Sequence, residues 1–215
     1  MTLSISAAPL WVTATNCYLV AARSGGPAVI IDAPPDAASI EAMVGQAGVT
    51  PVAVLLTHGH VDHVGGAGVV VRNLGAVAYL HPADSWLVDD IAGQMRMLMG
   101  SMLPGDYECP PGLLPLAHGQ VLELAGLAFR VIHTPGHTQG HCCFMLDDEG
   151  VLFSGDHLFA GSVGRTDLPG GDQAALMRSM ADRVAILPGA TRVLSGHGPA
   201  TTLARELATN PFLQV

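Results

Sequence analysis

The sequence predicts an α+β fold in which two β-sheets pack face to face and helices cover their outer sides. Each half of the chain contains a group of short strands followed by a helix and a strand, and each sheet needs another layer over its apolar face. Hydrophobic residues make up 49% of the chain and charged residues 13%, which is enough for one large core. Neither a tandem repeat nor a Ser/Pro-rich linker divides the chain, so we predict a single domain over residues 1–215.

The first half begins with short runs of β-forming residues that predict a strand meander. These runs cover residues 10–16, 17–22 and 28–33. Residues 35–48 begin with Pro and Asp, place Ile40 and Met43 on one helical face and end at Gly48, which predicts a helix. The half closes with a strand buried on both faces, a helix and another strand, at residues 51–57, 65–75 and 76–81.

The second half repeats this order. Short strands are predicted within residues 121–137, 142–147 and 151–156. A helix from about Asp172 to Leu187, a strand at residues 192–195 and a brief helix follow. Between the halves, residues 93–105 hold four of the nine methionines. This methionine-rich segment is expected to be a loosely packed surface helix or gap-filling core, or else a flexible flap over an active site.

The charge of the chain restricts its partners. All nine basic residues are arginine, against 18 acidic residues, and the net charge is -9. Nucleic acid and anionic membranes attract concentrated positive charge, so we expect a small-molecule partner and neither of these. The chain shows no signal peptide and no apolar run of about 18 residues, which predicts a cytoplasmic protein. The four cysteines lack C-x-x-C spacing and are expected to be reduced thiols.

A cluster of polar residues, "THGHVDH", follows the predicted strand 51–57. His58 and His60 are two residues apart at the end of an extended segment, so their side chains project to the same side. Asp62 continues that row, whereas His63 points elsewhere. This one loop therefore offers four ligands that two metal ions could share.

Later strand ends supply further ligands. His137 follows a Pro-Gly turn in "TPGHT", Asp156 follows a strand in "FSGD", and His197 lies between two glycines in "SGHG". Strand ends on a rigid scaffold can direct side chains into one cleft. Five histidines and two aspartates form a nitrogen and oxygen ligand set, which suits zinc, iron or manganese and excludes a thiolate site.

These four motifs, in this order, resemble the metallo-β-lactamase superfamily from about residue 15 to the C-terminus. The stretch "LFAGSVGRTDLPGGD" is similar to the glyoxalase II-like hydrolases and to the related persulfide dioxygenases. The resemblance implies an αββα sandwich of two mixed β-sheets. Only eighteen residues follow His197, so we expect the additional C-terminal helical domain of glyoxalase II, which helps to bind glutathione, to be absent.

The resemblance also implies a division of the ligands between two divalent metal ions, with zinc expected first and iron or manganese as alternatives. One ion would be held by His58, His60 and His137. The other would be held by Asp62, His63 and His197. Asp156 would bridge the two, and we assign Asp62 a catalytic role as well.

We expect a glyoxalase II-like hydrolase of small-molecule thioesters, in which water activated by the metal ions attacks the carbonyl. The alternative is a persulfide dioxygenase with one iron at His58 or His60, His137 and Asp156. Hydrolysis of β-lactams or phosphodiesters is disfavoured because the chain is acidic and shows no secretion signal. An inactive scaffold would be expected to lose ligands, and the oxygen-reducing diiron branch characteristically has an acid where His60 stands.

The other polar residues are expected to support the site. Asp32 should support the loop that carries the first four predicted ligands. Arg165 and Asp167 should stabilise the loop after Asp156, and Arg165 is also a candidate substrate contact. Two further histidines are expected to be structural or to orient ligands through hydrogen bonds, namely His81 and His133. Three have no motif support as ligands, namely His118, His141 and His157.

Overall fold

Two six-stranded β-sheets pack face to face in the computed structural model, which describes residues 3–214. Apolar side chains fill the space between them, among them Phe129, Phe144 and Phe153, all fully buried. Separate apolar clusters join the outer face of each sheet to helices. The molecule is therefore a four-layer sandwich, and the predicted α+β architecture is confirmed.

The first sheet is built from the N-terminal half of the chain. Its strands are β1 (Ser4–Leu10), β2 (Thr15–Ala21), β3 (Pro27–Ile31), β4 (Thr50–Leu55), β5 (Val77–Leu80) and β6 (Leu114–Pro115). They lie side by side in the order of the sequence. The pairs β1–β2 and β2–β3 are antiparallel, and the pairs from β3 to β6 are parallel, so the sheet is mixed.

The second sheet and a small hairpin come from the C-terminal half. The strands are β7 (Val121–Leu124), β8 (Leu127–His133), β9 (Cys142–Leu146), β10 (Val151–Gly155), β11 (Leu158–Phe159), β12 (Ser162–Val163), β13 (Arg192–Ser195) and β14 (Thr201–Thr202). The sheet order is β14-β13-β10-β9-β8-β7, with β10 and β13 parallel. Strands β11 and β12 pair with each other as a separate hairpin.

Helices connect these strands and cover the sheets. They are α1 (Ala37–Ala47), α2 (Val61–Val64), α3 (Ala67–Leu74), α4 (Ser85–Val88), α5 (Ile91–Met99), α6 (Gln173–Ser179) and α7 (Leu203–Thr209). A 3-10 turn at Pro82–Asp84 precedes α4, and one π-helical turn at Met180–Val184 extends α6. Within residues 3–214, every helix is too short or too polar to cross a membrane.

Helix α1 begins and ends where the sequence predicts. The Asp36 carboxylate accepts a hydrogen bond from the backbone N–H of Ser39 and so caps the first turn. Gly48 ends the helix at φ 62°, a left-handed conformation that favours glycine. The predicted helix from Asp172 to Leu187 is shorter in the structure, where α6 ends at Ser179 and a π-helical turn follows.

The strand predicted at residues 10–16 is wrong. Strand β1 lies earlier in the chain, and residues 11–14 form a turn with positive φ at Trp11 and Ala14. The reason is the pairing of β1 with β2, whose register joins Leu10 to Thr15 and leaves residues 11–14 as the hairpin connection, closed by a hydrogen bond from the Ala14 backbone N–H to the carbonyl of Trp11. The Trp11 indole packs edge-on against the Tyr107 ring and donates to the carbonyl of Pro104.

Strand β2 links the two sheets near the end of β13. The Tyr18 hydroxyl donates a 2.6 Å hydrogen bond to the Ser195 carbonyl, and the Asn16 side-chain amide donates to the carbonyls of Ser195 and Gly198. The Asn16 backbone N–H also donates to the carbonyl of Gly196. Four hydrogen bonds from one strand thus hold the loop that carries His197.

Glu206 of α7 anchors the β11–β12 hairpin. Its buried carboxylate accepts hydrogen bonds from the Thr201 hydroxyl at 2.6 Å, the Gly161 backbone N–H at 2.8 Å and the Asn210 amide at 2.9 Å. Asn210 in turn donates to the carbonyl of Ser162 in the hairpin. Although burial opposes ionisation of Glu206, these hydrogen bonds hold its pKa below the usual value.

We predict that Glu206→Gln lowers the free energy of unfolding by about 1–3 kcal/mol at pH 7, because the amide keeps only one acceptor oxygen. A lowered folded-state pKa means that this stability is present above the unfolded pKa of about 4.3 and is lost as the pH falls further. Urea denaturation at pH 7 and below pH 4 measures the difference.

The matched control is Glu123→Gln, which makes the same change at an exposed position on β7. It should leave the unfolding free energy within about 0.5 kcal/mol of the original. The anchoring role would be contradicted if both substitutions changed the unfolding free energy equally. It would also be contradicted if Glu206→Gln had a larger effect below pH 4 than at pH 7.

Candidate metal centre

Three histidine nitrogens converge behind the loop that follows β4. His58 Nε2 lies 3.1 Å from His60 Nδ1, and His60 Nδ1 lies 2.9 Å from His137 Nε2. All three side chains are buried. His58 and His60 come from the β4 loop and His137 from the loop after β8, so the two sheets each contribute to this triad.

Hydrogen bonds on the far side of two rings determine which nitrogens face inward. His137 Nδ1 lies 2.7 Å from the carbonyl oxygen of Arg165, which can only accept, so Nδ1 carries the proton. The Thr57 hydroxyl donates to Asp32 and therefore accepts from His58 Nδ1, 3.0 Å away. Both Nε2 atoms thus present lone pairs to His60 Nδ1, an arrangement that suits a cation between the three nitrogens.

A second group of ligand atoms lies beside the first. His197 Nε2 lies 3.3 Å from both His63 Nε2 and Asp62 Oδ2, and the last two atoms are 3.6 Å apart. The Thr15 hydroxyl donates a hydrogen bond to Asp62 Oδ2, which orients the carboxylate. His197 is the most exposed of the three, with 29% of its side chain open to solvent.

Asp156 lies between the two groups. Its Oδ2 is 3.6 Å from His137 Nε2 and 3.5 Å from His197 Nε2, and its Oδ1 is 3.4 Å from His63 Nε2. Within the described part of the chain, Oδ1 is buried without a hydrogen-bond partner. An unpartnered carboxylate oxygen at this point is a fitting ligand for a cation.

The spacing of the donor atoms fits transition-metal ions. Ligand atoms about 2.1 Å from a tetrahedral ion lie about 3.4 Å from one another. The distances between nitrogen and oxygen donors here run from 2.9 to 3.6 Å. The structure therefore brings together all seven residues predicted as ligands, in groups able to hold metal.

Electrostatics distinguish the two groups. Burial lowers the pKa of His60 to about 3 and holds that of His58 well below its usual value, so these two rings are neutral and their lone pairs are available at neutral pH. Burial also opposes protonation of His197, but hydrogen bonds with Asp156 and Asp62 outweigh it and raise the pKa to about 9. Burial likewise opposes protonation of His63, but the negative charges of Asp156, Asp62 and Asp32 outweigh it and raise the pKa of His63 well above its usual value. A metal ion at the second group would therefore replace protons.

Asp32 supports the metal loop as the sequence predicts. Its Oδ2 lies 2.8 Å from His63 Nδ1, which directs Nε2 of that ring towards the second group. Its Oδ1 accepts a 2.8 Å hydrogen bond from the backbone N–H of Thr57, next to His58. One buried carboxylate thus orients one ligand directly and a second through Thr57.

Sequence reasoning missed Asp84, which connects the two ligand loops. Its Oδ2 accepts hydrogen bonds from the Gly59 backbone N–H at 2.9 Å and the Thr138 hydroxyl at 2.6 Å. Its Oδ1 accepts from the Gly140 backbone N–H at 2.6 Å. The sequence signal that could have identified Asp84 is its position shortly after β5, the parallel neighbour of β4. Adjacent parallel strands end at the same edge of a sheet, so residues that follow them lie close together.

Gln94 and His141 were also missed as supporting residues. The Gln94 amide donates to the carbonyls of Gly59 and Leu87, and its oxygen accepts from the Val61 N–H. His141 accepts a 3.0 Å hydrogen bond from the Asp156 backbone N–H. Both residues therefore fix the backbone beside a ligand.

The remaining histidines stay outside the two groups. His81 and His133 stack with ring centroids 4.0 Å apart, and His133 Nε2 donates to the carbonyl of Gln139, which agrees with a structural role. His118 is exposed. His157 is fully buried, and neither ring nitrogen has a partner among the described residues.

A cleft of about 470 Å³ opens in front of the ligand groups. The methionine-rich segment forms part of its wall through Leu98 and Met99 of α5, whereas Met95 is buried in the core and Met97 is 52% exposed. The segment therefore contributes to both the core and the wall of the cleft, and its role as a flexible flap stays a prediction. Arg165 also lines the cleft.

We predict that Asp84→Asn weakens zinc affinity about 10–100-fold, because the amide cannot accept all three hydrogen bonds that hold the two ligand loops together. Competition with a chromophoric chelator measures the affinity. Asp89→Asn, an exposed neighbour, is the matched control and should leave it unchanged. Equal zinc affinity of both variants would show that Asp84 does not position the ligands.

Comparison with known proteins agrees with this geometry. The family model of the metallo-beta-lactamase superfamily matches residues 10–197. The chain is 32% identical to hydroxyacylglutathione hydrolase GloC of Haemophilus influenzae, over 98% of each chain.

Two solved structures are similar over nearly the whole chain. The BLEG-1 B3 metallo-beta-lactamase shares 37% identity at a TM-score of 0.90, covering 99% of this chain and 100% of that one. TTHA1623 in a di-iron-bound form shares 41% identity at a TM-score of 0.85, covering 97% and 100%. With its αββα sandwich and its clustered histidine and aspartate ligands, the chain belongs to the metallo-β-lactamase superfamily.

Proposed function

We propose that this protein is a binuclear metallohydrolase that cleaves thioesters of small thiols. The observation that carries the proposal is the pair of ligand groups joined by Asp156 at the base of an open cleft. The similarity to GloC, whose name describes hydrolysis of an acylated glutathione, supports the choice of substrate class.

We propose two divalent ions, with zinc first. His58, His60 and His137 would hold one ion, Asp62, His63 and His197 the other, and Asp156 both. Nitrogen and oxygen donors of this kind also suit iron and manganese, and the di-iron form of TTHA1623 supports iron as the alternative. The thiols of Cys17, Cys142 and Cys143 are buried in the core and belong to neither group.

Bound ions would supply Lewis-acid activation of a water molecule and of the substrate carbonyl. The protein contributes the orientation of the reactants. Burial opposes ionisation of Asp62, but His63 and His197 outweigh it and hold the Asp62 pKa below its usual range. The ionised Asp62, oriented by the Thr15 hydroxyl, would accept a hydrogen bond from the attacking water. A leaving thiol with a pKa near 8.5 departs as thiolate without a general acid.

β-Lactam hydrolysis is the second candidate, because the chain is 37% identical to the BLEG-1 B3 metallo-beta-lactamase over nearly its whole length. A mononuclear persulfide dioxygenase remains the third, with one iron at His58 or His60, His137 and Asp156. The complete second group, Asp62, His63 and His197, favours two ions over one.

The binuclear arrangement predicts unequal effects of two substitutions. His197→Ala should lower metal content from about two ions to about one per chain, because the triad with its bridging aspartate remains. Asp156→Ala should lower occupancy of both sites. Elemental analysis of the purified variants measures this. His118→Ala, an exposed histidine away from the ligand groups, is the control. Equal and complete loss of metal in both variants would argue against two separate sites.

The substrate prediction uses a panel of thioesters that share one acyl group. The metal-loaded protein should hydrolyse them with kcat values within about tenfold of one another, and its KM for S-lactoylglutathione should lie near the upper end of the usual ~1 μM–1 mM range. The reason is that the metal site performs the chemistry, while the chain has no lysine to bind the glutathione carboxylates.

Two further measurements test the other candidate functions. One is hydrolysis of a chromogenic cephalosporin, and the other is oxygen uptake with glutathione persulfide as the substrate. Turnover of the cephalosporin alone would replace this proposal with the β-lactam candidate. Oxygen uptake without thioester cleavage would replace it with the dioxygenase.

A further inference from the structure

The wall of the cleft beyond the ligand groups is mostly apolar. Its side chains are Leu98, Met99, Phe159, Val163 and Leu168. They come from α5 on one side and from the β11–β12 hairpin and the loop after it on the other. A small crevice shares Leu98 and Leu168 with the cleft and extends the apolar surface to Leu87 and Met97. The part of a ligand that lies beyond the metal site would therefore contact apolar side chains.

The hairpin wall has a defined position. Phe159 contacts His197 edge-on, with ring centroids 6.1 Å apart, so the apolar surface begins directly beside a ligand residue. Glu206 and Asn210 hold the hairpin backbone through Gly161 and Ser162. An apolar group on the substrate would meet a surface that is already in place, and pre-organisation of this kind favours binding.

Apart from the ligand histidines, the residues described as lining the cleft include one basic side chain, Arg165. Asp167 pairs with its guanidinium through two parallel hydrogen bonds, Nε to Oδ1 and Nη2 to Oδ2, each 2.7 Å long. Both side chains are exposed, at 59% and 67%. A substrate carboxylate would have to bind the remaining N–H groups beside the Asp167 carboxylate, which already neutralises the guanidinium charge, and would also meet the field of a chain with net charge -9.

We infer that the cleft selects substrates whose non-reacting group is apolar and uncharged, and that Asp167 sets this preference by occupying Arg165. The inference deepens the proposed function and rests on it for the position of the reacting group. It assigns Asp167 a role in specificity and leaves the chemical step to the metal site.

Thiol binding tests this without turnover. Isothermal titration of the zinc-loaded full-length protein with ethanethiol, 1-butanethiol and glutathione gives the dissociation constants. Each buried methylene should strengthen binding about three- to fourfold, and butanethiol should bind more tightly than glutathione. Asp167→Asn should strengthen glutathione binding up to about fivefold, the upper range for an exposed ion pair, and leave butanethiol unchanged.

Asp148→Asn removes the same charge from an exposed position on the β9–β10 turn, away from the cleft, and should alter neither ligand. Tighter binding of glutathione than butanethiol, no dependence on chain length, or an equal effect of the two asparagine variants would overturn the inference. If the protein preferred to hydrolyse glutathione thioesters, the inference about the apolar cleft would be wrong, but the proposed thioesterase activity would stand. If apolar thiols bound tightly and no thioester were cleaved, the thioesterase proposal would be wrong, but the inference about the apolar cleft would stand.

Discussion

Hydrogen bonds outside the ligand cluster determine what the cluster can bind. The Arg165 carbonyl and the Thr57 hydroxyl keep the Nδ1 protons of His137 and His58 on the outer side, so both Nε2 lone pairs face His60. Lone pairs that converge in this way suit a cation. The rest of the site is arranged around these nitrogens, and an ion bound there would add to the stability of the fold.

The sandwich brings ligands from distant parts of the chain to one edge. The loop after β4 belongs to the first sheet, whereas the loops that carry His137, Asp156 and His197 follow strands of the second. Asp84 connects the loops of His60 and His137, and β2 holds the loop of His197. The loops are thus tied to each other and to buried strands, which provides the rigidity that a catalytic site needs.

Sequence reasoning identified the architecture and the seven residues that converge in the structure, because both leave local signals. Strand periodicity and helix caps are short-range, as at α1 between Asp36 and Gly48, and the ligand motifs lie immediately after apolar strands. Contacts made far along the chain leave no such signal. The role of Asp84, for example, depends on loops 25 and 56 residues away.

Sequence alone is also limited in what it shows about substrate specificity. The sequence places Asp167 two residues after Arg165, but only the structure shows that the two side chains form a bidentate pair at the rim of the cleft. Exposed side chains have many accessible rotamers, so sequence spacing alone does not determine such a contact.

Thermal unfolding with and without metal tests the central claim most directly. A strong chelator should lower the melting temperature by several degrees, and added zinc should restore it, since an ion that binds only the folded state stabilises it by about 2.7 kcal/mol at 100 times its dissociation constant. A melting temperature that is the same with chelator, without chelator and with excess zinc would contradict the claim that these nitrogens are arranged for a cation.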